Sequence, residues 1–205
     1  MKGVSLGLLA AAALSLPALS IAQEPAKPAP ESKKPGSTFS YSYVEMAYAK
    51  TDFEVSGAPN NLDGDGFTLS GSARITDEWH FYAAYGTADL DYGINLDAWT
   101  LGVGYSHSIK PNIDWYGRVL YIDNSADLGA TTSHDNGLGL QFRIRGRIND
   151  KVEIEGGVQY TDVTRSDTAL QASVRYYFAR RFSAGVGVTL GGNTDGLAVN
   201  ARLSF

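Results

Sequence analysis

Three histidines, twenty-two acids and no cysteine are the reactive groups of this 205-residue chain. Without a thiolate there is no cysteine nucleophile, no disulfide framework and no sulfur-ligated metal site. His134 stands beside Asp135, the pairing of imidazole and carboxylate that a general base uses. The rest of a catalytic constellation is missing: no second Asp joins the pair, and no serine sits in a sharp turn as a nucleophile would. No catalytic residue and no cofactor is therefore assigned, and the reading is not an enzyme. The segment Asn61-Leu62-Asp63-Gly64-Asp65-Gly66 offers oxygens at alternate positions and Gly at the sixth, like the opening half of a calcium loop. The twelfth position, where such a loop needs an acid, is Ser72, so Asn61, Asp63 and Asp65 make only a weak candidate metal site.

The other ions recur at every second residue. Arg143, Arg145 and Arg147 are followed, across Asn149-Asp150, by Glu153 and Glu155. Side chains two apart share a face only on a β-strand, and a tight turn between two such runs would set the arginines opposite the glutamates as a ladder. The spacing of the ions thus points to the elements that carry them.

From Thr38 to Phe205 the apolar residues alternate in runs of about ten. Leu138, Leu140, Phe142 and Ile144 oppose Gly139, Gln141 and the three arginines. Leu170, Ala172, Val174, Tyr176 and Phe178 oppose Gln171, Ser173, Arg175 and Tyr177, and Leu197, Val199, Ala201, Leu203 and Phe205 oppose Asn200, Arg202 and Ser204. Ten such runs are legible, with eight strands as the alternative count. The apolar face carries aromatics at its ends: Tyr48, Tyr85, Tyr121 and Tyr160 close runs that Trp79, Trp115 and Phe182 open, while Trp99 and Phe178 bound the returning runs. A soluble barrel would have to enclose these rings. Facing lipid, they become two aromatic girdles, and the fold class is all-β, an antiparallel up-and-down transmembrane β-barrel.

Composition agrees with that setting. An excess of 22 acidic over 17 basic residues argues against nucleic acid as a partner. Residues 1–22 combine Lys2, a short apolar run and small residues before Gln23, a secretory signal that would leave 205 − 22 = 183 residues. Residues 23–37, QEPAKPAPESKKPGS, can bury nothing and read as a Pro-rich periplasmic linker. The barrel is assigned to residues 38–205.

The region from Thr38 onward resembles the small single-chain outer-membrane β-barrels of Gram-negative bacteria. Its last strand, ending at Leu203 and Phe205, is similar to their assembly signal. The resemblance implies reading by the barrel-assembly machinery and localisation in the cell outer membrane. YSYVEMAYAK (Tyr41 to Lys50), LDAWTLGVGYSHSI (Leu96 to Ile109) and RVLYID (Arg118 to Asp123) resemble the diffusible-signal-factor-regulated outer-membrane proteins, which implies a secreted or vesicle-borne signalling role as a further hypothesis.

Two functions follow from the polar face and the loops. Inside, Glu45, Asp114, Glu153 and Glu155 would meet Arg74, Arg118, Arg143, Arg145, Arg147, Arg175 and Arg202, either as a salt-bridge plug that holds the barrel round or as a narrow cation-excluding pore for small solutes. Outside, thirteen acids from Asp52 and Glu54 to Asp195 are placed in the outer loops, with Arg165 the one cation there. The leading expectation is a structural or surface-interaction barrel acting through these acidic loops; the channel is the alternative. Its expected partners are outer-membrane lipid, lipopolysaccharide and divalent cations at the loops, and it is expected to be a monomer.

Overall fold

A computed structural model describes residues 38–53, 62–127, 132–163, 165–191 and 194–205. The expected signal segment and linker, together with Glu54 and Asn61, lie outside the described residues. Ten antiparallel strands close on themselves: β1 (Tyr43–Phe53), β2 (Leu62–Arg74), β3 (Trp79–Leu90), β4 (Ile94–Lys110), β5 (Ile113–Asp127), β6 (Thr132–Asn149), β7 (Val152–Asp162), β8 (Ser166–Tyr177), β9 (Phe182–Leu190) and β10 (Thr194–Ser204). Each pairs with its neighbours in sequence, and β1 pairs with β10 to close the barrel. Closure leaves no sheet edge, which is what a strand protein needs where no water can satisfy its backbone.

The faces follow the alternation in the sequence. Leu69, Trp99, Leu140, Val174 and Leu203 are exposed on the outside, while Ser70, Ser72, Arg145, Glu153 and Arg175 are buried in the lumen. Leu138 to Ile148 on β6, both exposed, are ten residue steps apart; at about 3.3 Å per step and a strand tilt of about 40°, the apolar belt is about 25 Å tall. Short turns at 75–78, 111–112, 150–151 and 178–181 gather at one end, and the same end holds the start of β1 and the end of β10. That end is periplasmic by the usual asymmetry of these barrels.

Two expectations are corrected by the strand lengths. The acids placed in loops mostly sit on paired strands that rise beyond the belt: Asp52 on β1, Asp63 and Asp65 on β2, Asp89 on β3, Asp97 on β4, Asp123 and Asp127 on β5, Asp135 on β6, Asp162 on β7, Asp167 on β8 and Asp195 on β10; Asp91 lies in a short 3-10 turn. His134 is likewise a strand residue, opposite Ser125. Above the belt both faces meet water, so hydrophobic alternation stops although pairing continues. Two residues of the weak metal candidate, Asp63 and Asp65, are strand residues as well. They lie on an extended strand, Asp63 paired with β1 and Asp65 with both β1 and β3, rather than on the tightly curled loop that wraps a calcium ion.

Residues 38–42 do not form barrel wall, although the barrel was expected to begin at Thr38. They fold inward beneath β1, burying Phe39 and Tyr41 with Tyr116 in a small aromatic core.

Candidate functional site

The lumen holds the ionic residues in two groups. The first follows the wall from β6 round to β1. Register sets Arg145 opposite Glu155 and Arg147 opposite Glu153, with a register shift between Arg147 and Asn149 beside the turn. Arg145 Nη2 reaches Glu153 at 3.0 Å and its Nε reaches Glu155 at 3.3 Å; Arg147 stands 3.8 Å from Glu153, and Arg143 2.8 Å from Glu155. Arg175 on β8 spans between Glu153 at 3.0 Å and Glu45 at 2.7 Å, and Arg202 on β10 meets the same Glu45 oxygen at 2.8 Å. The hydroxyls of Tyr116 and Tyr177 donate to Glu155 at 3.0 Å and Glu153 at 2.7 Å. Arg143 also donates to Gln171. β9, which lies between β8 and β10, presents Ser183 and Gly185 opposite Arg202 and Arg175, so nothing bulky blocks the long side chains as they cross it. Five guanidiniums thus share three carboxylates.

The second group crosses the lumen. Arg118 on β5 donates Nε to His80 Nε2 at 3.1 Å, Nη1 to Gln141 at 3.2 Å and Nη2 to the Tyr43 hydroxyl at 3.2 Å. Its guanidinium also lies over the Tyr82 and Tyr116 rings, 4.4 and 4.7 Å from their centroids. The Gly104 backbone sits opposite both His80 and Arg118. A Cβ there would stand 2.3 Å from His80 Nε2, so glycine is what admits the contact.

The remaining expected lumen ions lie at the periplasmic rim. Asp114 is almost wholly buried and accepts from the Tyr41 hydroxyl at 3.3 Å. Arg74 is exposed, and its Nη2 donates to the Phe39 carbonyl at 3.1 Å. His107 faces outward at the same rim, with its ring 6.3 Å from that of Trp115.

Above the ionic groups the lumen opens. One cavity of about 440 Å³ is lined by Arg143, Arg175 and Arg202 together with Glu45, Glu155 and Asp167, with Thr and Ala higher up. A second, of about 380 Å³, is bounded by small residues such as Ala49, Thr68, Gly86, Ala98 and Ser133. Small residues widen the outer half, and long charged ones narrow the inner half.

The outer surface places the aromatics at two levels. Towards the outer end, Tyr48 packs on Phe67 and Tyr85 on Trp99, with centroids 5.0 and 4.7 Å apart; Tyr121 and Tyr160 are exposed on the same face. The Tyr48 and Tyr85 hydroxyls donate to Asp65 at 3.0 Å and Asp97 at 2.7 Å, which fixes each ring with its polar tip away from the belt. Towards the short turns, Trp79, Tyr105 and Trp115 pack in series at 5.2 and 5.7 Å, and Phe178 packs on Phe182 at 6.0 Å. Leu203 on β10 and Phe205 just after it are exposed on the outer face.

A closed barrel with an apolar belt bounded by aromatics and a charged interior is a membrane-spanning barrel. A family model described as Gram-negative porin matches residues 31–127. The chain is an outer-membrane β-barrel. No curated protein matches its sequence. Among solved structures it is similar to the KdgM porin in complex with disordered oligogalacturonate (9% identity, TM-score 0.48, covering 80% of this chain and 99% of that one). It is also similar to an outer membrane channel from Pseudomonas putida F1 (11%, 0.48, 87% and 100%) and to Neisserial surface protein A (17%, 0.44, 80% and 96%).

Phe39 and Tyr41 were not among the expected site residues. The available signal was their parity: Phe39, Tyr41 and Tyr43 continue the inward face of β1, and an inward aromatic below the first strand has no wall to belong to.

Proposed function

We propose that the protein is a narrow, cation-excluding channel for small solutes. The observation that carries this reading is the pairing of five arginines with three glutamates at the floor of an outward-facing vestibule. That group carries two more arginines than glutamates, and surplus positive charge at a constriction with low-dielectric walls repels cations and favours anions. The match to a Gram-negative porin model over residues 31–127 supports the same reading. The test is single-channel recording across a KCl gradient. The expected result is a reversal potential of anion-selective sign that moves towards cation selectivity in Arg143→Glu, because Arg143 lines the vestibule. Absence of steps, or cation selectivity in the wild type, would overturn it.

A second reading, surface contact through the acidic outer end, is favoured by the register. Asp52 faces both Asp63 and Asp195, and Asp65 faces Asp89. Like charges directly opposite repel, and a divalent cation shared with a lipopolysaccharide phosphate would relieve them. Magnesium-dependent retention of lipopolysaccharide by the purified barrel, lost in Asp52→Asn/Asp65→Asn, is the expected result; retention indifferent to both would refute it.

A further inference from the structure

We infer that residues 38–42 are the gate of the channel: a strap laid across the periplasmic mouth that closes it when seated and opens it when withdrawn. This rests on the channel reading above. The strap belongs to the chain immediately before β1; Ser40 and Ser42 tie its near end to Phe205 and Arg74 beside the closure seam, and its far end reaches across the barrel. Thr38 donates its backbone N–H and its hydroxyl to the Pro111 carbonyl, at 3.3 and 2.9 Å, in the turn between β4 and β5. β1 is hydrogen-bonded to β2 and β10 alone. Five residues therefore bridge from the closure seam to the opposite wall.

What the strap inserts is aromatic. Phe39 and Tyr41 are 3% and 1% exposed. Tyr41 stacks on His80 of β3 at 4.8 Å, meets Tyr116 of β5 edge-on at 5.8 Å and hydrogen-bonds Asp114. Arg145 lies over both strap rings, 5.1 Å from Phe39 and 5.3 Å from Tyr41, and Arg147 lies 5.3 Å from Phe39. Residues from β2, β3, β5 and β6 thus converge on two rings that fill the axis of the mouth.

The mode of attachment suits a gate better than a strut. At its β1 end the strap keeps a main-chain bond, from Phe205 N–H to the Ser42 carbonyl at 2.9 Å; further in, its carbonyls take side-chain donors, Arg74 at Phe39 and Arg145 at Ser40. Cation–π contacts and guanidinium bonds to carbonyls can be exchanged for water without breaking the barrel ladder, because β1 is paired to both neighbours from Tyr43 onward. The same arginines that hold the strap belong to the ionic floor, so a solute at that floor and the strap compete for one set of charges.

The experiment compares wild type, Phe39→Ala/Tyr41→Ala, and a chain in which residues 38–42 are a Gly-Ser segment of equal length, each confirmed as folded by heat-modifiable gel mobility. The expected result in planar bilayers is a rise of at least about tenfold in open probability for both variants, since two buried aromatics are lost and each 1.4 kcal/mol is tenfold. Ser40→Cys gives a readout on a chain that otherwise has no thiol: modification with a charged methanethiosulfonate should prevent reseating and raise the current. Equal, non-zero currents throughout would overturn the gate and leave the channel standing. Silence in every form, modified Ser40→Cys included, would overturn both.

Discussion

Replacing Glu153 by Gln tests whether the ionic floor holds the barrel. The Glu153 side chain is 1% exposed and stands 3.0 Å from both Arg145 and Arg175, 3.8 Å from Arg147 and 2.7 Å from the Tyr177 hydroxyl. Gln keeps the shape and one acceptor but turns an amide NH₂ towards groups that are themselves donors, at a side chain almost wholly shielded from solvent. Removing one member of a buried ionic group costs about 3–5 kcal/mol. Arg145 retains Glu155 and Arg175 retains Glu45, which places the expected loss near the lower bound, about 3 kcal/mol, or roughly two decades in the folding equilibrium at 1.4 kcal/mol per tenfold. The assay is urea unfolding of protein folded into lipid vesicles, read by tryptophan fluorescence and gel mobility. Asp89→Asn is the reference, because Asp89 is exposed and faces Asp65; it should lie within about 0.5 kcal/mol of wild type. A Glu153 variant as stable as that reference would mean that the floor is wet and carries no structural load, and the salt-bridge account would fall.

Three further outcomes follow from the same geometry. Leu140→Arg and Val174→Arg place a charge on the exposed apolar face and should each cost about 2–4 kcal/mol near the midplane in the same unfolding assay, whereas Ser173→Arg enters the vestibule and should be far milder; equal effects would invert the assigned faces. Gly104→Ala drives a methyl group against His80 Nε2 and the Arg118 stem, so it should destabilise by about 1–3 kcal/mol, and a neutral result would refute the close approach. Phe205→Ala should slow appearance of the heat-modifiable form in growing cells with little effect on the folded protein's stability, since the Phe205 side chain is exposed on the outside while its backbone N–H bonds Ser42 through the main chain; an unchanged assembly rate would remove its role as a signal.

The wall was legible because a lipid solvent leaves one kind of residue on each face. Where that solvent ends, so does the legibility. Asp97 and Asp123 read as loop residues because each puts a carboxylate on the parity that carries Trp99 and Tyr121 and so ends the apolar alternation, yet they lie within the paired stretch of β4 and β5. Backbone pairing persisted there because each strand's neighbour persisted, a long-range fact that no local pattern records. The ladder of Arg145 and Arg147 on Glu155 and Glu153 was readable in kind, since alternation puts all four ions on one face either side of a short turn, but their exact pairing is set by the register shift between Arg147 and Asn149. Arg175 reaching Glu45 past β9 and β10 was not, because it depends on which strands close the barrel and on β9 being narrow.

The strap shows where parity stops being sufficient. Phe39, Tyr41 and Tyr43 share one parity, and parity alone places all three inward. It does not say that the chain leaves the sheet at Tyr43. That departure follows from bulk and charge together: arginines at the inner end outnumber the carboxylates beside them, and the rings of Phe39 and Tyr41 supply the π-faces over which Arg145 and Arg147 settle. A cation short of carboxylates gains about 0.5–2 kcal/mol from such a face when desolvated. The surplus charge proposed to select the solute thus also holds the segment that bars its way, so neutralising Arg145 should act on the gate and on selectivity together, and a variant that altered one without the other would separate two functions that the geometry joins.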